Sequence, residues 1–172
     1  GSGPAELTPP RLEDWPEITR ESGGNVRRVN VDGITKAELA SWKSGDTVLL
    51  SGVVYTARDQ AHKRMIEALD RGEPLPFDLE GSAIYYVGPT PERPGEVIGS
   101  AGPTTSGRMD AMSPRLLDLG NKIMIGKGKR DAAVKEAVVR NGAVYLAALG
   151  GAGALMAKRV ETLEDIAWPD LG

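Results

Sequence analysis

Four short apolar runs, three of them ending directly at a glycine, constrain the fold of this chain more than any other feature. They are TVLLSGVV at 47–54, SAIYYV at 82–87, KIMI at 122–125 and AVYLAAL at 143–149. Because most of each run is continuous rather than alternating with polar residues, the runs are typical of parallel strands buried on both faces. Helical patterns separate them, so the sequence predicts an α/β domain with a mostly parallel sheet.

The remaining segments complete an alternation of strands and helices. We expect further short strands at 25–31, at 97–99 and after residue 160, and helices at 35–42, 56–69, 113–119, 131–140 and 154–159. Residues 4–24 are rich in Pro, Glu and Arg, which is typical of a linker or an irregular arm. The chain should therefore consist of an N-terminal arm at 1–25, opening with a Gly-Ser-Gly that looks like a cloning remnant, and one domain at 26–172.

The composition excludes several kinds of site. The chain has no cysteine and one histidine, His62, which excludes disulfides, thiol catalysis, a metal cluster held by cysteines of this chain, and a zinc site of several histidines. A net charge of −3 and the lack of any RNA-binding signature disfavour nucleic acid as a partner. No apolar stretch reaches the ~20 residues of a membrane span, and no signal segment opens the chain, so we expect a cytoplasmic protein without membrane contact.

A loop rich in glycine and hydroxyl groups, GPTTSGRMD, occupies residues 102–110. The residues of interest in it are Gly102, Thr104, Thr105, Ser106 and Arg108. The arginine offers a planar fork that matches a carboxylate, and backbone N–H groups of such a loop can form an anion-binding nest. A helix N-cap is the alternative explanation, but a cap needs one hydroxyl and not three. The loop is therefore a candidate anion site.

Two more glycine-rich loops directly follow apolar runs. Lys127 stands between Gly126 and Gly128 in GKGKR. Positive charge before a helix opposes the helix dipole, which suggests an anionic ligand or acidic partner, although a solvated basic turn is the alternative. In GGAGAL, Gly151 and Gly153 indicate close backbone packing, or close approach to a ligand or a partner chain. Neither loop has the glycine spacing of a nucleotide-binding motif.

A basic residue also stands at the start of the helix that follows the first run. Ligands of open α/β sheets bind outside the carboxyl ends of the strands. Arg58 is the basic residue at the start of that helix. At the carboxyl ends of the strands, Arg58, Arg108 and Lys127 would surround a small dianion, with Thr104 near its carbon skeleton. A dicarboxylate suits this number of charges. No pair of acidic residues stands out as an acid–base couple, so we expect a site that is incomplete in this chain.

The same residues carry a family resemblance. In chain order, SGVVYTARDQAHKR, IYYVGPTP, GSAGPTTSGRMD, MIGKGKR and AVYLAALGGAGAL resemble the β region of class I, iron–sulfur fumarate hydratases and of L-tartrate dehydratases. The similarity covers about residues 26–172. It implies a swivelling β/β/α fold of three layers and the reversible hydration of fumarate to (S)-malate.

The resemblance also implies roles for individual residues. Arg58, Arg108 and Lys127 would bind the substrate carboxylates, and Thr104 would abstract a proton together with an aspartate of an α region. A 4Fe-4S cluster is expected in that α subunit or α domain, held by three cysteines there, with one iron open to substrate as a Lewis acid. The expected assembly is a dimer of α/β units, and the chain by itself is expected to be inactive.

Departures from the family pattern leave some alternatives open. The family continues past residue 172, so we expect this chain to be truncated or a fragment. The segment before the first run looks more like the single-chain form of the enzyme, although a separate β subunit is an alternative. Fumarate hydratase is favoured because TARDQAHKR lacks the cysteines associated with tartrate forms and KGKR is intact. L-tartrate dehydratase and a non-catalytic dicarboxylate-binding or assembly module are the competing interpretations.

Overall fold

The computed structural model describes residues 26–148 and 153–171. Its strands are β1 (Val26–Asn30), β2 (Thr47–Ser51), β3 (Tyr55–Thr56), β4 (Ala83–Tyr85), β5 (Ile123–Gly126) and β6 (Val144–Ala147). Its helices are α1 (Lys36–Ala40), α2 (Asp59–Asp70), α3 (Ser113–Asp118), α4 (Ala132–Asn141) and α5 (Gly153–Ala157), with 3₁₀ turns at Ser106–Met109 and Pro169–Leu171. The predicted N-terminal arm and Gly151 lie outside the described residues.

Two parallel sheets form the framework. The larger sheet has the strand order β3-β4-β5-β6, and every pair in it is parallel. The smaller sheet pairs β1 with β2, also in parallel. Because all four strands of the larger sheet run the same way, their carboxyl ends meet along one edge, which we call the carboxyl edge.

Successive residues of the central strands point to opposite faces, and each face is covered. On one face, Ile84 and Met124 pack with residues of α2, α3 and α4. On the other, Ala83 and Ile123 pack with Val31 and with residues of α1 and β2. The result is three layers: the small sheet with α1, the four-stranded sheet, and the helices. The predicted α/β class, mostly parallel sheet and three-layer arrangement are confirmed.

Local signals explain where the helices begin and end. At the start of α4, the carboxylate of Asp131 accepts a hydrogen bond from the Val134 N–H at 2.8 Å. The helix ends at Gly142, whose φ of +58° suits a left-handed cap. At α1, the Thr35 hydroxyl accepts from the Glu38 N–H at 3.1 Å, as the threonine-to-glutamate spacing predicts. Such caps typically stabilise a helix by about 1 kcal/mol.

Several expected element boundaries were wrong. The run at 47–54 divides into β2 and β3 because Gly52, at φ +99°, turns the chain; a Cβ there would lie 2.4 Å from Asn30 Oδ1. Residues 97–99 do not form a strand, because the Thr90 N–H bonds the Ser100 carbonyl at 3.1 Å and closes the segment into a loop. The described residues after 160 hold no strand either.

The end of the chain packs against the helical layer instead of adding to the sheet. Trp168 contacts the core beneath α2, and the Arg64 guanidinium donates to the Asp170 carboxylate.

The longest of the described helices, α2, has 12 residues. Within the described ranges, no helix combines the length and the apolar character needed to cross a bilayer.

Candidate functional site

The predicted anion loop meets the ends of the two central strands at the carboxyl edge. The Thr104 N–H donates to the Tyr86 carbonyl, just past β4, at 2.8 Å. The Ser106 N–H donates to the Lys127 carbonyl, just past β5, at 2.9 Å. A parallel bridge pairs Thr105 with Lys127. Thr104 is therefore held by backbone contacts at the meeting point of β4, β5 and the loop.

Close approach fixes the loop in this place. A Cβ on Gly126 would lie 2.1 Å from Ser106 Oγ, so only glycine lets the serine approach the end of β5. Ser106 is fully buried, and its hydroxyl lies 2.9 Å from the Tyr145 hydroxyl. Since the Tyr145 hydroxyl donates its proton to the Gly128 carbonyl at 3.0 Å, Ser106 is the donor to Tyr145. We call the segment GKGKR at 126–130 the lysine loop. The bonds from Ser106 to Tyr145 and from Tyr145 to Gly128 join the anion loop to it.

Lys127 follows β5 directly and is exposed. The next residue, Gly128, has φ +88°, which a residue with a side chain rarely adopts. Lys129 is also exposed in the same loop. The chain turns here from the end of the strand toward α4, leaving both lysine side chains at the surface of the carboxyl edge.

Arg58 stands two residues beyond β3, at the N-cap of α2. Its side chain lies across Gly88, which follows the end of β4: a Cβ on Gly88 would be 2.3 Å from one guanidinium nitrogen. The arginine is exposed, and its one ion-pair contact among the described residues is a long 3.8 Å approach to the carboxylate of Asp59. Such surface pairs are weak, about 0–1 kcal/mol, so the guanidinium is available to a ligand.

Arg108 lies in the 3₁₀ turn within the anion loop, and it is exposed. Its N–H contacts the Thr105 carbonyl at 3.4 Å. The structure therefore places Arg58, Thr104, Arg108 and Lys127 on segments that leave, or bridge, the carboxyl ends of β3, β4 and β5. It brings these predicted residues to one edge and does not scatter them.

The third predicted loop touches the first. The Ala101 N–H donates to the Gly153 carbonyl at 3.1 Å, and a Cβ on Gly153 would lie 2.9 Å from the Gly102 nitrogen. Of the alternatives for the GGAGAL loop, Gly153 therefore shows close packing against protein backbone.

His62 is the residue that sequence reasoning undervalued. It is fully buried, with its ring edge-on to Tyr86 at 5.1 Å between centroids. Its Nδ1 lies 2.8 Å from the Arg58 carbonyl, which can only accept, so Nδ1 carries the proton. Burial lowers the pKa of His62 to about 4, although the bond to the Arg58 carbonyl acts in the opposite direction. The only sequence feature that pointed to His62 was its spacing of four residues from Arg58, which places the two residues on one face of a helix.

A buried charge network below the edge was also missed. The Arg130 guanidinium bonds Asp110 and Ser113, and it lies 5.3 Å from the centroid of the Tyr86 ring and 5.2 Å from that of Tyr145. Asp110 and Arg130 close the two loop motifs GPTTSGRMD and GKGKR. Their position in those motifs was visible in the sequence, but nothing there showed that they pair.

The residues present do not suit a metal cluster. The sequence contains no cysteine. In the ranges that the structure describes, no three His, Asp or Glu side chains converge as metal ligands. The one histidine has its protonated nitrogen on a backbone carbonyl. An iron–sulfur cluster would need ligands from outside this chain.

The protein is thus a three-layer α/β domain. Loops at the carboxyl ends of its parallel strands carry exposed Arg and Lys side chains and hydroxyl groups. A family model described as "Fumarase C-terminus" matches residues 1–172. The chain belongs to this family.

Relatives of two kinds show similarity. The class I aerobic fumarate hydratase of Escherichia coli K12 is 36% identical over 163 residues, covering 91% of this chain and 30% of that protein. A putative L(+)-tartrate dehydratase β subunit of Methanocaldococcus jannaschii is 40% identical over 140 residues, covering 80% of this chain and 72% of that one. The L(+)-tartrate dehydratase β subunit of E. coli K12 is 33% identical over 150 residues, covering 86% and 73%. This chain thus spans less than a third of the fumarate hydratase that it matches.

Proposed function

We propose that this chain is the β region of a hydro-lyase that reversibly hydrates fumarate to (S)-malate. It supplies carboxylate-binding cations and a threonine to a site that an α region completes. The observation that carries this proposal is the arrangement of Arg58, Thr104 and Lys127 at the ends of three adjacent parallel strands. Family membership and the fumarate hydratase relatives support the same reaction class.

Substrate binding rests on positive charge. A dicarboxylate carries two negative charges, and Arg58, Arg108 and Lys127 are exposed cations on neighbouring segments. A unit charge pair 4 Å apart gains only about 1 kcal/mol in bulk water, and several times more at lower effective dielectric. Three exposed cations therefore bind a small dianion weakly until another protein surface excludes water. This argues for an α region that covers the carboxyl edge.

Thr104 would move the proton. In the dehydration direction, its deprotonated oxygen takes the proton from the carbon next to one carboxylate and becomes a hydroxyl. The electron pair of that C–H bond forms the double bond, the C–O bond on the adjacent carbon breaks, and the hydroxide that departs takes up a proton from solvent to become water. In the hydration direction, the same oxygen returns the proton. A threonine hydroxyl is a weak base, so a neighbouring group must first deprotonate it. The family resemblance implies that an aspartate of the α region performs this task, and we assign it so.

The 4Fe-4S cluster belongs in this proposal to the α region, since the donors of this chain do not suit it. The resemblance further suggests a dimer of α/β units.

L-tartrate dehydration is the second candidate. The specific observation in its favour is the match to separate β subunits, of which this chain covers 72% and 73%. Tartrate is also a dicarboxylate with a hydroxyl to eliminate, so the same cations and threonine would serve.

The test is turnover by the chain assembled anaerobically with its cluster-bearing α region. We expect loss of the ultraviolet absorbance of fumarate as malate forms, and little or no oxaloacetate from L-tartrate. In the Arg108→Ala variant of the same assembly, kcat/KM should fall by about tenfold or more, the loss of roughly one well-formed ionic contact. Faster turnover of L-tartrate would favour the second candidate. Undiminished activity in Arg108→Ala would contradict the site, and dicarboxylate binding without turnover of either substrate would indicate a non-catalytic module.

A further inference from the structure

Two segments of the candidate site carry exposed basic side chains, and each has a buried, charged residue at or next to its end. The anion-loop segment, 106–110, contains Arg108 and ends at Asp110. The lysine-loop segment, 127–131, contains Lys127 and Lys129 and has Arg130 near its end. Only 12% of the Asp110 side chain and 3% of the Arg130 side chain are exposed.

Both oxygens of the Asp110 carboxylate reach the other segment. Oδ1 accepts from Arg130 Nε at 2.6 Å, and Oδ2 accepts from the Asp131 N–H at 2.8 Å. Asp131 in turn caps α4 through Val134. One carboxylate thus fastens the end of the anion-loop segment to two successive residues at the start of a helix.

The two segments are joined at their other ends as well. The Ser106 N–H donates to the Lys127 carbonyl at 2.9 Å, and Thr105 bridges Lys127. Arg108 lies between the two junctions on one segment, and Lys129 lies between them on the other. The spacing of the cations therefore depends on both junctions, one made by backbone atoms and one made by a buried ion pair.

Stability alone does not account for an ion pair at this position. Removing two charges from water is costly, and a well-packed apolar pair of similar volume often stabilises a fold equally well. A forked guanidinium and a two-oxygen carboxylate do, however, fix direction and distance in a way that apolar side chains cannot. This geometry joins the two cation-bearing segments to each other.

We propose that Asp110 and Arg130 are positioning residues that set the spacing of Arg108 relative to Lys127, and through it the affinity for a dicarboxylate. This inference rests on the proposed function. Neither residue touches substrate; each acts through the segment that it holds.

Ser113 provides the matched control. It is as deeply buried as the ion pair, and its hydroxyl accepts from Arg130 at 2.7 Å while donating to the Met109 carbonyl at 2.9 Å. Because it belongs to α3, removing it leaves both bonds of the Asp110 carboxylate in place. Ser113→Ala and Asp110→Asn therefore each remove one buried polar group of the same network, but only the second loosens the junction.

The test measures steady-state kinetics and calorimetric binding of succinate, an unreactive dicarboxylate, on the chain assembled with its α region. An asparagine cannot accept with both terminal atoms, so Asp110→Asn loses one of the two bonds. We expect its KM and its succinate Kd to rise about tenfold while kcat changes by less than about threefold, the pattern of lost uniform binding. Ser113→Ala should lower the Tm comparably and leave KM and Kd within about twofold.

Equal changes of KM and Kd in the two variants would overturn the inference. Should Asp110→Asn fail to assemble, Asp110→Glu keeps the charge and both oxygens but lengthens the side chain; the same rise in Kd is expected, and an unchanged Kd would overturn the inference. Succinate binding separates a failure of the proposed hydro-lyase function from a failure of the positioning role of Asp110 and Arg130. A wild-type assembly that binds succinate but turns over neither substrate contradicts the proposed function while still testing the positioning role.

Discussion

Tyr86 shows how one buried residue serves several parts of the site. Its carbonyl accepts from the Thr104 N–H, its ring packs in a T-shaped arrangement with His62, and the centroid of the ring lies 5.3 Å from the Arg130 guanidinium. Burial raises the pKa of its hydroxyl, which keeps the ring neutral beside the cation. Its neighbour Tyr85 points to the opposite face and bonds the Ala101 carbonyl instead. Adjacent tyrosines thus support different parts of the loops at the carboxyl edge.

At this scale, replacing His62 should change the pH dependence of stability. The pKa of His62 is about 4 in the folded chain and about 6.5 when unfolded, so between these values only the unfolded state binds the proton. Stability should therefore fall as pH drops from about 6.5 to about 4, by a total on the order of 3 kcal/mol. His62→Asn keeps a donor near the Nδ1 position but does not titrate.

Urea unfolding of the wild type and of His62→Asn across this pH range is the check. The variant should lose the His62 contribution, so its stability curve should be flatter than that of the wild type, whatever its absolute stability. Asp59 and Arg130 also influence His62, but both are present in the two proteins. Parallel curves would mean that the imidazole is not held neutral.

Thr104 yields a second prediction. Thr104→Val keeps the shape of the side chain and removes the hydroxyl. If that oxygen transfers the proton, kcat of the assembled enzyme should fall by about 10²-fold or more, while KM changes little. Thr104→Ser, which keeps a hydroxyl, should retain much more of the activity. Comparable losses of kcat in the two variants would show that keeping the hydroxyl does not preserve activity, which would contradict proton transfer by that oxygen.

At the scale of elements, the site depends on how closely loops approach the strand ends. Gly126 ends β5 and admits Ser106, Gly88 follows β4 and admits Arg58, and Gly128 turns the lysine loop. Gly126 and Gly88 lack the Cβ that would overlap Ser106 or Arg58, and Gly128 adopts a positive φ of +88°. The loops are consequently seated on the four-stranded sheet and do not extend freely into solvent.

Gly126→Ala tests this seating. The added methyl would overlap Ser106 Oγ and lie 3.0 Å from the Tyr86 ring, so the anion loop must shift. We expect a loss of about 1–3 kcal/mol in the free energy of unfolding, typical of overpacking, together with reduced turnover by the assembled enzyme. Gly107→Ala is the control: its Cβ would meet nothing closer than 4.0 Å, and stability should change by less than about 1 kcal/mol.

Urea unfolding of both variants decides the matter. Similar stability for Gly126→Ala and wild type would show that the loop is not seated against β5 in this way.

How far the sequence could predict this structure depends on the kind of signal. Continuous apolar runs predicted β4, β5 and β6 because burial on both faces leaves a direct trace in residue type. The strand-end positions of Arg58 and Lys127 followed from the same runs. The strand expected at 97–99 was wrong because a tertiary bond between Thr90 and Ser100 decides that loop. The Asp110–Arg130 pair could not be predicted, since a separation of 20 residues carries no local pattern.

At the scale of the whole molecule, the three layers cover both faces of the four-stranded sheet and leave its carboxyl edge accessible. The helices cover one face of the sheet and the small sheet covers the other, so the carboxyl edge is where loops from three strands come together. The cations on it are exposed, although the chain as a whole is acidic. An anionic substrate would be attracted to this edge, and a second protein region would be needed to enclose it.

The most direct test of this account is succinate affinity of the assembled enzyme, compared between Lys127→Met and Lys129→Met. The two lysines share a loop, a charge and an exposed position, but only Lys127 directly follows β5 and pairs with the anion loop. The account predicts that Kd rises about tenfold or more in Lys127→Met and less than about twofold in Lys129→Met. Equal effects in both variants, or no effect in Lys127→Met, would contradict a dicarboxylate site at the carboxyl edge.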